Sequence, residues 1–310
     1  MTTAIVVDSS APGRLTLREV ADPTPGPSLA LVRVHATSLN RGEVRTALND
    51  AADGARPGWD FAGVVEQAAA DGSSPPTGAR VVGAMPSGAW ANRIAAFGPL
   101  MAELPEGISF AQAACLPVAG GTAWYGLKRR PSLHGKRVLV TGASGGVGVF
   151  ALQLAAKWGA EVTAALRDPQ KEAFVRRLGA GSVVYGETLE GGPASYDLVL
   201  ESVGGGTLSA ALRKLAPGGE CVQLGASESS LSTVDSSAFR VGGTSLYGLN
   251  MNYEMIGNPP SPALRALAEM VAGGQLDPMI EVEAPWDDVA RVAADLIARR
   301  FNGKAVLIVS

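Results

Sequence analysis

The densest run of chemistry-bearing residues is RVLVTGASGGVG at 137–148, where an apolar, β-branched segment breaks into glycines and then into an alanine-rich helical pattern reaching Ala160. A strand, a tight turn and a helix in that order turn unpaired backbone N–H groups and the positive end of the helix toward an anion. Gly142, Gly145 and Gly148 leave room for a pyrophosphate to approach the backbone and for the helix to pack on its strand, and Gly146 adds a further permissive position. The chemistry implied is dinucleotide binding; a glycine-rich turn with no ligand is the bland alternative.

Metal chemistry finds less support. Cys115 and Cys221 are the only cysteines, and His35 and His134 the only histidines; they stand far apart and in no ligand spacing. Two cysteines cannot supply a four-thiolate site. No metal is expected, and no disulfide framework.

The elements that must position the glycine turn fall into a pattern. The first hundred residues carry short β-like runs (TAIVVD, RLTLREV, LALVRVHATSL, FAGVVEQ, ARVVGAM) punctuated by proline and glycine, which predicts an antiparallel, barrel-like unit. A helical segment at 109–127 is interrupted around Pro117 and Gly120-Gly121. From Lys136 strands and helices alternate: RVLVTG, GVGVFALQLAAKWG, EVTAALR, DPQKEAFVRRLG, SVVYG, YDLVLESVG, GTLSAALRKLAPGG, ECVQLGA and TSLYGLN. Such βαβ units predict a parallel sheet with right-handed crossovers. Near Pro259 the alternation stops, and two amphipathic helices lead to a closing strand, KAVLIVS.

Composition narrows the class. The 310 residues are 46% hydrophobic and 18% charged with a net charge of −3, which suits a compact protein with a substantial core. No basic stripe is available for nucleic acid, and no apolar stretch reaches the roughly 20 residues of a membrane span. The start, MTTAIVVDSS, has no basic region followed by an apolar one, so cytoplasmic residence is the expectation.

In sequence order, SLNRGEVR around Asn40, PGWDFAGVVE, LPVAGGTAWYGL, TGASGGVG, YDLVLESVGGGTL, LAPGGECVQLG and NGKAVL resemble the zinc-free branch of the medium-chain dehydrogenases/reductases, the quinone oxidoreductase-like proteins. The resemblance implies an α/β chain with a GroES-like β-barrel catalytic domain (1–118 with 257–310) and an inserted, doubly wound Rossmann domain (119–256). Cofactor would lie in the cleft between them. Where zinc-dependent relatives carry a cysteine and a His-Glu pair, this chain reads Asn40-Arg41-Gly42-Glu43 and Trp59-Asp60, so the catalytic metal is expected to be gone.

The second Rossmann strand should end near Leu166, where NAD enzymes of this fold place an acid for the ribose hydroxyl. Here Arg167 follows and Lys171 lies one turn into the helix, cations suited to the 2′-phosphate of NADPH. Asp168 reads as a helix cap ahead of Pro169. By position in the family, Tyr185 would lie near that phosphate. Backbone at Ser144, Gly145, Gly146 and Val147 would meet the pyrophosphate, and Thr122 the nicotinamide or its ribose. Ser202, Val203 and Gly225 would line the strand ends, with Asn250 and Asn302 as further cofactor contacts and Lys304 at the GK place.

The resemblance implies hydride transfer from NADPH to a quinone or an α,β-unsaturated carbonyl. Without a Lewis acid, hydrogen-bond donors must meet the charge that develops on the carbonyl oxygen. Asn40 is the first candidate donor; it could equally bind the nicotinamide ribose or fix its own loop. Tyr125 and Tyr247 have proton-donor chemistry or pack as ordinary core, and Trp59 and Trp90 either wall the substrate cleft or belong to the core. LNRGEVR also resembles the enoyl-reductase segment VNFRDV, which opens a thioester substrate, with Lys128, Arg129 and Arg130 as a carrier patch or a solvated helix end. A non-catalytic NADPH-binding redox sensor and a zinc-independent alcohol dehydrogenase are the alternatives. The apolar edge strand GGTSLYGLN suggests a homodimer.

Overall fold

The computed structural model describes residues 1–193 and 195–310, which divide into two units, Met1–Gly121 with Met255–Ser310, and Thr122–Glu254. In the first, β1 (Thr2–Val7) pairs antiparallel with β2 (Leu15–Val20). Along β3 (Leu29–Ser38), Ala30, Val32, Val34 and Ala36 are buried while Arg33 between them is exposed, the two-residue period of a half-buried strand. Then come α1 (Arg41–Asn49), β4 (Asp60–Gln67), β5 (Arg80–Ala84), β6 (Arg93–Phe97) and β7 (Met101–Glu103). The helical segment expected at 109–127 is broken as its sequence demands: α2 (Phe110–Ala114) gives way to a π-turn at Leu116–Gly120, containing the Pro117 that cannot donate, before α3 (Gly121–Lys128).

The second unit alternates strand and helix: β8 (Arg137–Val140), α4 (Gly146–Lys157), β9 (Glu161–Leu166), α5 (Glu172–Arg177), β10 (Ser182–Tyr185), β11 (Tyr196–Glu201), α6 (Gly205–Arg213), β12 (Leu215–Gln223) and β13 (Ser245–Gly248). All pair in parallel, in the order β10-β9-β8-β11-β12-β13. This is a doubly wound sheet whose winding reverses between β8 and β11. One boundary differs from expectation. LAPGG belongs to the start of β12 rather than to the end of its helix, because Tyr196 pairs with Leu215 and an irregularity in the ladder absorbs Pro217 and Gly218.

After α7 (Met251–Gly257) the chain returns to the first unit through α8 (Ser261–Ala272), β14 (Ile280–Pro285), α9 (Val289–Ile297) and β15 (Lys304–Ile308). β15 slots between β14 and β3, completing a seven-stranded sheet in the order β14-β15-β3-β4-β5-β7, with β6 also on β3. Its core includes Ile5, Val32, Phe61, Trp90, Ile94 and Leu307. Among the described residues no helix is long and apolar enough to cross a membrane.

Candidate functional site

In an open parallel sheet, ligands settle outside the carboxyl ends of the strands where the winding reverses. Here that point is framed by the turn after β8 and the loop after β11. Gly142 has φ 58°, and a Cβ on it would lie 2.5 Å from Ser202 Oγ, so only glycine lets the two loops close on each other. A Cβ on Gly148 would lie 2.5 Å from the Ala143 carbonyl, so glycine also lets α4 start hard against the turn. α4 begins behind Gly145, and among the described residues no side chain caps it. Its first-turn N–H groups therefore have no side-chain acceptor, which fits an anionic ligand.

A buried acid that the sequence reading missed organises this edge. The Glu201 carboxylate accepts from Val203 N–H at 2.8 Å, from Gly204 N–H at 3.1 Å and from the Thr141 hydroxyl at 3.1 Å. Thr141 Oγ1 accepts in turn from Ser202 N–H at 2.9 Å, and Ser202 Oγ donates to the Thr141 carbonyl at 3.1 Å. Burial pushes the Glu201 carboxyl above its ordinary pKa. The result is a clasp that fixes the backbone of Ser202 and Val203 beside the glycine turn. Gly225 follows β12 and is exposed.

At the end of β9 the sequence expected free cations. Arg167 is exposed, but Nη1 is ion-paired with Glu228 Oε2 at 3.1 Å. Lys171 is half-buried at the end of a 3-10 turn, and Asp168 caps that turn by accepting from Gln170 N–H at 3.0 Å. The Tyr185 hydroxyl is already spent: it donates to Glu172, which also pairs with Arg176 at 2.7 Å.

The first unit holds a second cluster. Asp60, Glu43 and Lys304 are 0%, 3% and 1% exposed. Asp60 Oδ2 accepts from Ser38 Oγ at 2.6 Å and from Asn40 Nδ2 at 2.7 Å, Oδ1 accepts from Val118 N–H at 2.9 Å, and Lys304 Nζ lies 3.9 Å away. Lys304 donates to Asn40 Oδ1 at 2.7 Å and to the Leu39 carbonyl at 3.1 Å. Glu43 Oε1 accepts from the Asn40 backbone N–H at 2.8 Å and from Asn40 Nδ2 at 2.9 Å. Its other oxygen, Oε2, is buried with no hydrogen-bond partner among the described residues.

Burial pushes both carboxyls upward, Glu43 to about 8, with the Asp60 charge adding to its rise. Lys304 and three donors pull Asp60 back against that burial, so Asp60 ionises ahead of Glu43, whose proton is held by desolvation and by the Asp60 charge. This corrects the first role considered for Asn40. Nδ2 donates to carboxyl oxygens of both Glu43 and Asp60 and Oδ1 accepts from an ammonium, so the amide is a hub of its own loop rather than a free donor.

Other candidates also turn out to be engaged. Trp90 is fully buried in the barrel core and walls no cleft; Trp59 is half-buried against α1, its ring 2.9 Å from a Cβ built at Gly42. The Tyr247 hydroxyl donates to Glu254, which raises its pKa, and the Arg129 guanidinium lies 3.8 Å above its ring, so it is a poor proton donor. Tyr125 is half-buried on α3, its phenol pKa raised by desolvation.

Asn250 accepts from Tyr253 N–H at 3.3 Å at the start of α7, and Asn302 N–H donates to Glu281 at 2.9 Å, local bonds that hold turns. Thr122 is buried on α3. Of the basic trio at the end of α3, Lys128 and Arg129 are exposed and Arg130 is half-buried, and each has a partner. Lys128 sits over the rings of Trp124 and Trp158, Arg129 pairs with Glu220 at 2.8 Å, and Arg130 donates to the carbonyls of Asp197 and Gly218. His35 stacks on Phe110 at 4.7 Å, and both cysteines are buried, with the Cys115 thiol pushed up to about 12. Among the described residues no group of three His, Cys, Asp or Glu could hold a metal ion.

The zinc-binding dehydrogenase family matches residues 146–269, a stretch with no histidine and one cysteine. A mycocerosic acid synthase-like polyketide synthase of Mycobacterium tuberculosis is 31% identical over 299 residues, which cover 91% of this chain and 14% of that protein. The chain thus spans a small part of that relative's length. A mycobacterial quinone oxidoreductase superposes with a TM-score of 0.87 at 25% identity, covering 99% of this chain and 100% of that one. A mycobacterial protein solved as a complex with NADPH superposes with a TM-score of 0.85, also at 25% identity, over 99% of this chain and 100% of its own. With the doubly wound sheet of the second unit and the strand-rich first unit, these likenesses place the chain among the oxidoreductases: it belongs to the quinone oxidoreductase-like family of the medium-chain dehydrogenases/reductases.

Proposed function

We propose that this protein is an NADPH-dependent reductase that delivers hydride to a quinone or an α,β-unsaturated carbonyl without zinc. The observation that carries the reading is the uncapped α4 behind a glycine turn that only glycine can form, at the point where the sheet's winding reverses. Ser144, Gly145, Gly146 and Val147 would hold the pyrophosphate with backbone N–H groups. The Glu201 clasp would keep Ser202 and Val203 in place to line the strand ends, with Thr122 and Gly225 as further contacts. At the end of β9, Leu166 stands where an NAD enzyme would carry an acid and the cations Arg167 and Lys171 follow it, which favours the phosphorylated cofactor. When bound, NADPH supplies the hydride.

Of the roles open to Asn40 from sequence, fixing its own loop is the one its hydrogen bonds support, so we assign it as a positioning residue. With Tyr247 bonded to a carboxylate, the final proton is assigned to solvent. The 31% identity over 91% of the chain with a polyketide synthase favours an enoyl thioester within this substrate class. A cytoplasmic setting and a homodimer built on the exposed β13 edge complete the reading.

The test is NADPH consumption across quinones, enones and enoyl thioesters, with product identification and a chelator control. Oxidation that survives chelation and proceeds faster than with NADH supports the proposal. Tight NADPH binding with no turnover on any acceptor would leave a redox sensor instead, and zinc-dependent alcohol oxidation would overturn it.

A further inference from the structure

Arg167 is the first residue after β9, and Glu228 lies beyond the end of β12. These strands are not neighbours. β8 and β11 stand between them, so β9 and β12 are three strand spacings apart, about 14 Å. Yet Arg167 Nη1 and Glu228 Oε2 are 3.1 Å apart. The ion pair therefore reaches from the carboxyl end of β9 to the loop beyond β12, across β8 and β11, the two strands between which the winding reverses.

Glu228 is held in that position by backbone bonds. Its N–H donates to the Val203 carbonyl at 2.9 Å, and Gly204 bridges to Ser229, which ties the Glu228 loop to the loop after β11. The two side chains remain 56% and 49% exposed, so the pair is weak enough to exchange partners.

We infer that Glu228 sets how strongly this site prefers a 2′-phosphorylated nucleotide, by holding Arg167 in a latch across the switch point. This rests on the reading above that a dinucleotide binds along this edge. A guanidinium bonds a phosphate in a bidentate fork and favours its higher charge, so a 2′-phosphate can take Arg167 from the carboxylate. Glu228 opposes that exchange twice: its pairing with Arg167 must break, and its freed charge repels the phosphate. Nucleotides without the 2′-phosphate place no charge at the 2′ position to recruit the cation and gain nothing from the exchange.

The test is calorimetric binding of 2′,5′-ADP and of ADP to the full chain, which requires no turnover. Glu228→Gln should tighten 2′,5′-ADP by about three- to tenfold, and ADP by less than about twofold, the gain shrinking as salt rises. Glu228→Lys should extend the gain in the same direction. Arg167→Ala should weaken 2′,5′-ADP more than ADP and, in the double variant, should leave only the part of the Glu228→Gln benefit that comes from removing repulsion. If wild type binds both ligands and Glu228→Gln moves neither, or moves both equally, the latch is overturned while the nucleotide site stands. If wild type binds neither ligand, the nucleotide site itself falls and the latch with it.

Discussion

In the barrel unit Asp60 and Glu43 are buried beside the ammonium of Lys304, whereas in the nucleotide unit Glu201 is buried against backbone N–H groups and a threonine hydroxyl. Both arrangements hold a loop, after β3 in one and after β11 in the other. They differ in what they demand. The barrel cluster needs its cation, because an ionised Asp60 at 0% exposure has few other means of neutralisation. The clasp needs only an acceptor oxygen, because all its donors are neutral. Charge is therefore structural in one unit and dispensable in the other.

Lys304→Met should expose that difference most strongly. It leaves Asp60 buried without its ammonium, at a cost of about 3–5 kcal/mol in urea unfolding. A loss below about 1 kcal/mol would mean that Asp60 is neutral and that the comparison is wrong. Asn40→Ala comes next. Deleting the hub strips Lys304, Asp60 and Glu43 of one partner each, and hydrogen bonds to charged groups imply a loss of about 2–3 kcal/mol. Turnover should fall with stability, while NADPH affinity changes only a few-fold. Lost turnover at unchanged stability would instead make Asn40 a direct contact of the substrate.

The proton on Glu43 gives a smaller, pH-dependent effect. Its folded pKa of about 8 lies above the ordinary 4.5, so the folded chain binds more protons than the unfolded chain between those values. The stability it contributes is complete below about pH 4.5 and is lost as pH rises through about 8. Glu43→Gln removes this titration, and between pH 7 and 8 the variant should gain about 1 kcal/mol on wild type in paired denaturation curves. Parallel curves would place the proton elsewhere. The smallest change is expected for Glu201→Gln. It keeps a carbonyl for the N–H groups of Val203 and Gly204, and should cost under about 1 kcal/mol with little change in nucleotide binding. A loss as large as that of Lys304→Met would erase the contrast between the units.

Local features were legible in the sequence and contacts across it were not. The glycine turn, the break at Pro117 and the end of β9 at Leu166 depend on near neighbours, so their residue types declare them. The two clusters depend on partners that only the fold brings together: Asn40 and Lys304 meet across most of the chain. Lys304 stands out as the single charge in GKAVLIV, and Asp60 as the single acid in an apolar segment before Glu66, signals that burial of a charge leaves in a sequence. Side-chain engagement was the least visible property. Tyr185, Tyr247 and Arg167 are the right residue types for chemistry, but each was found bonded to a carboxylate that periodicity gives no means of locating.

The placement of β15 bears on how the chain is made. One side of β3 has no complete strand partner until residues 304–308 emerge, although β4 and β5 are synthesised some two hundred residues earlier. The nucleotide unit, by contrast, is contiguous in the chain and has all its strands before residue 304 is made. During synthesis the barrel therefore waits with an open seam and two acids lacking their cation, and the late arrival of Lys304 closes the seam and neutralises Asp60 in one event.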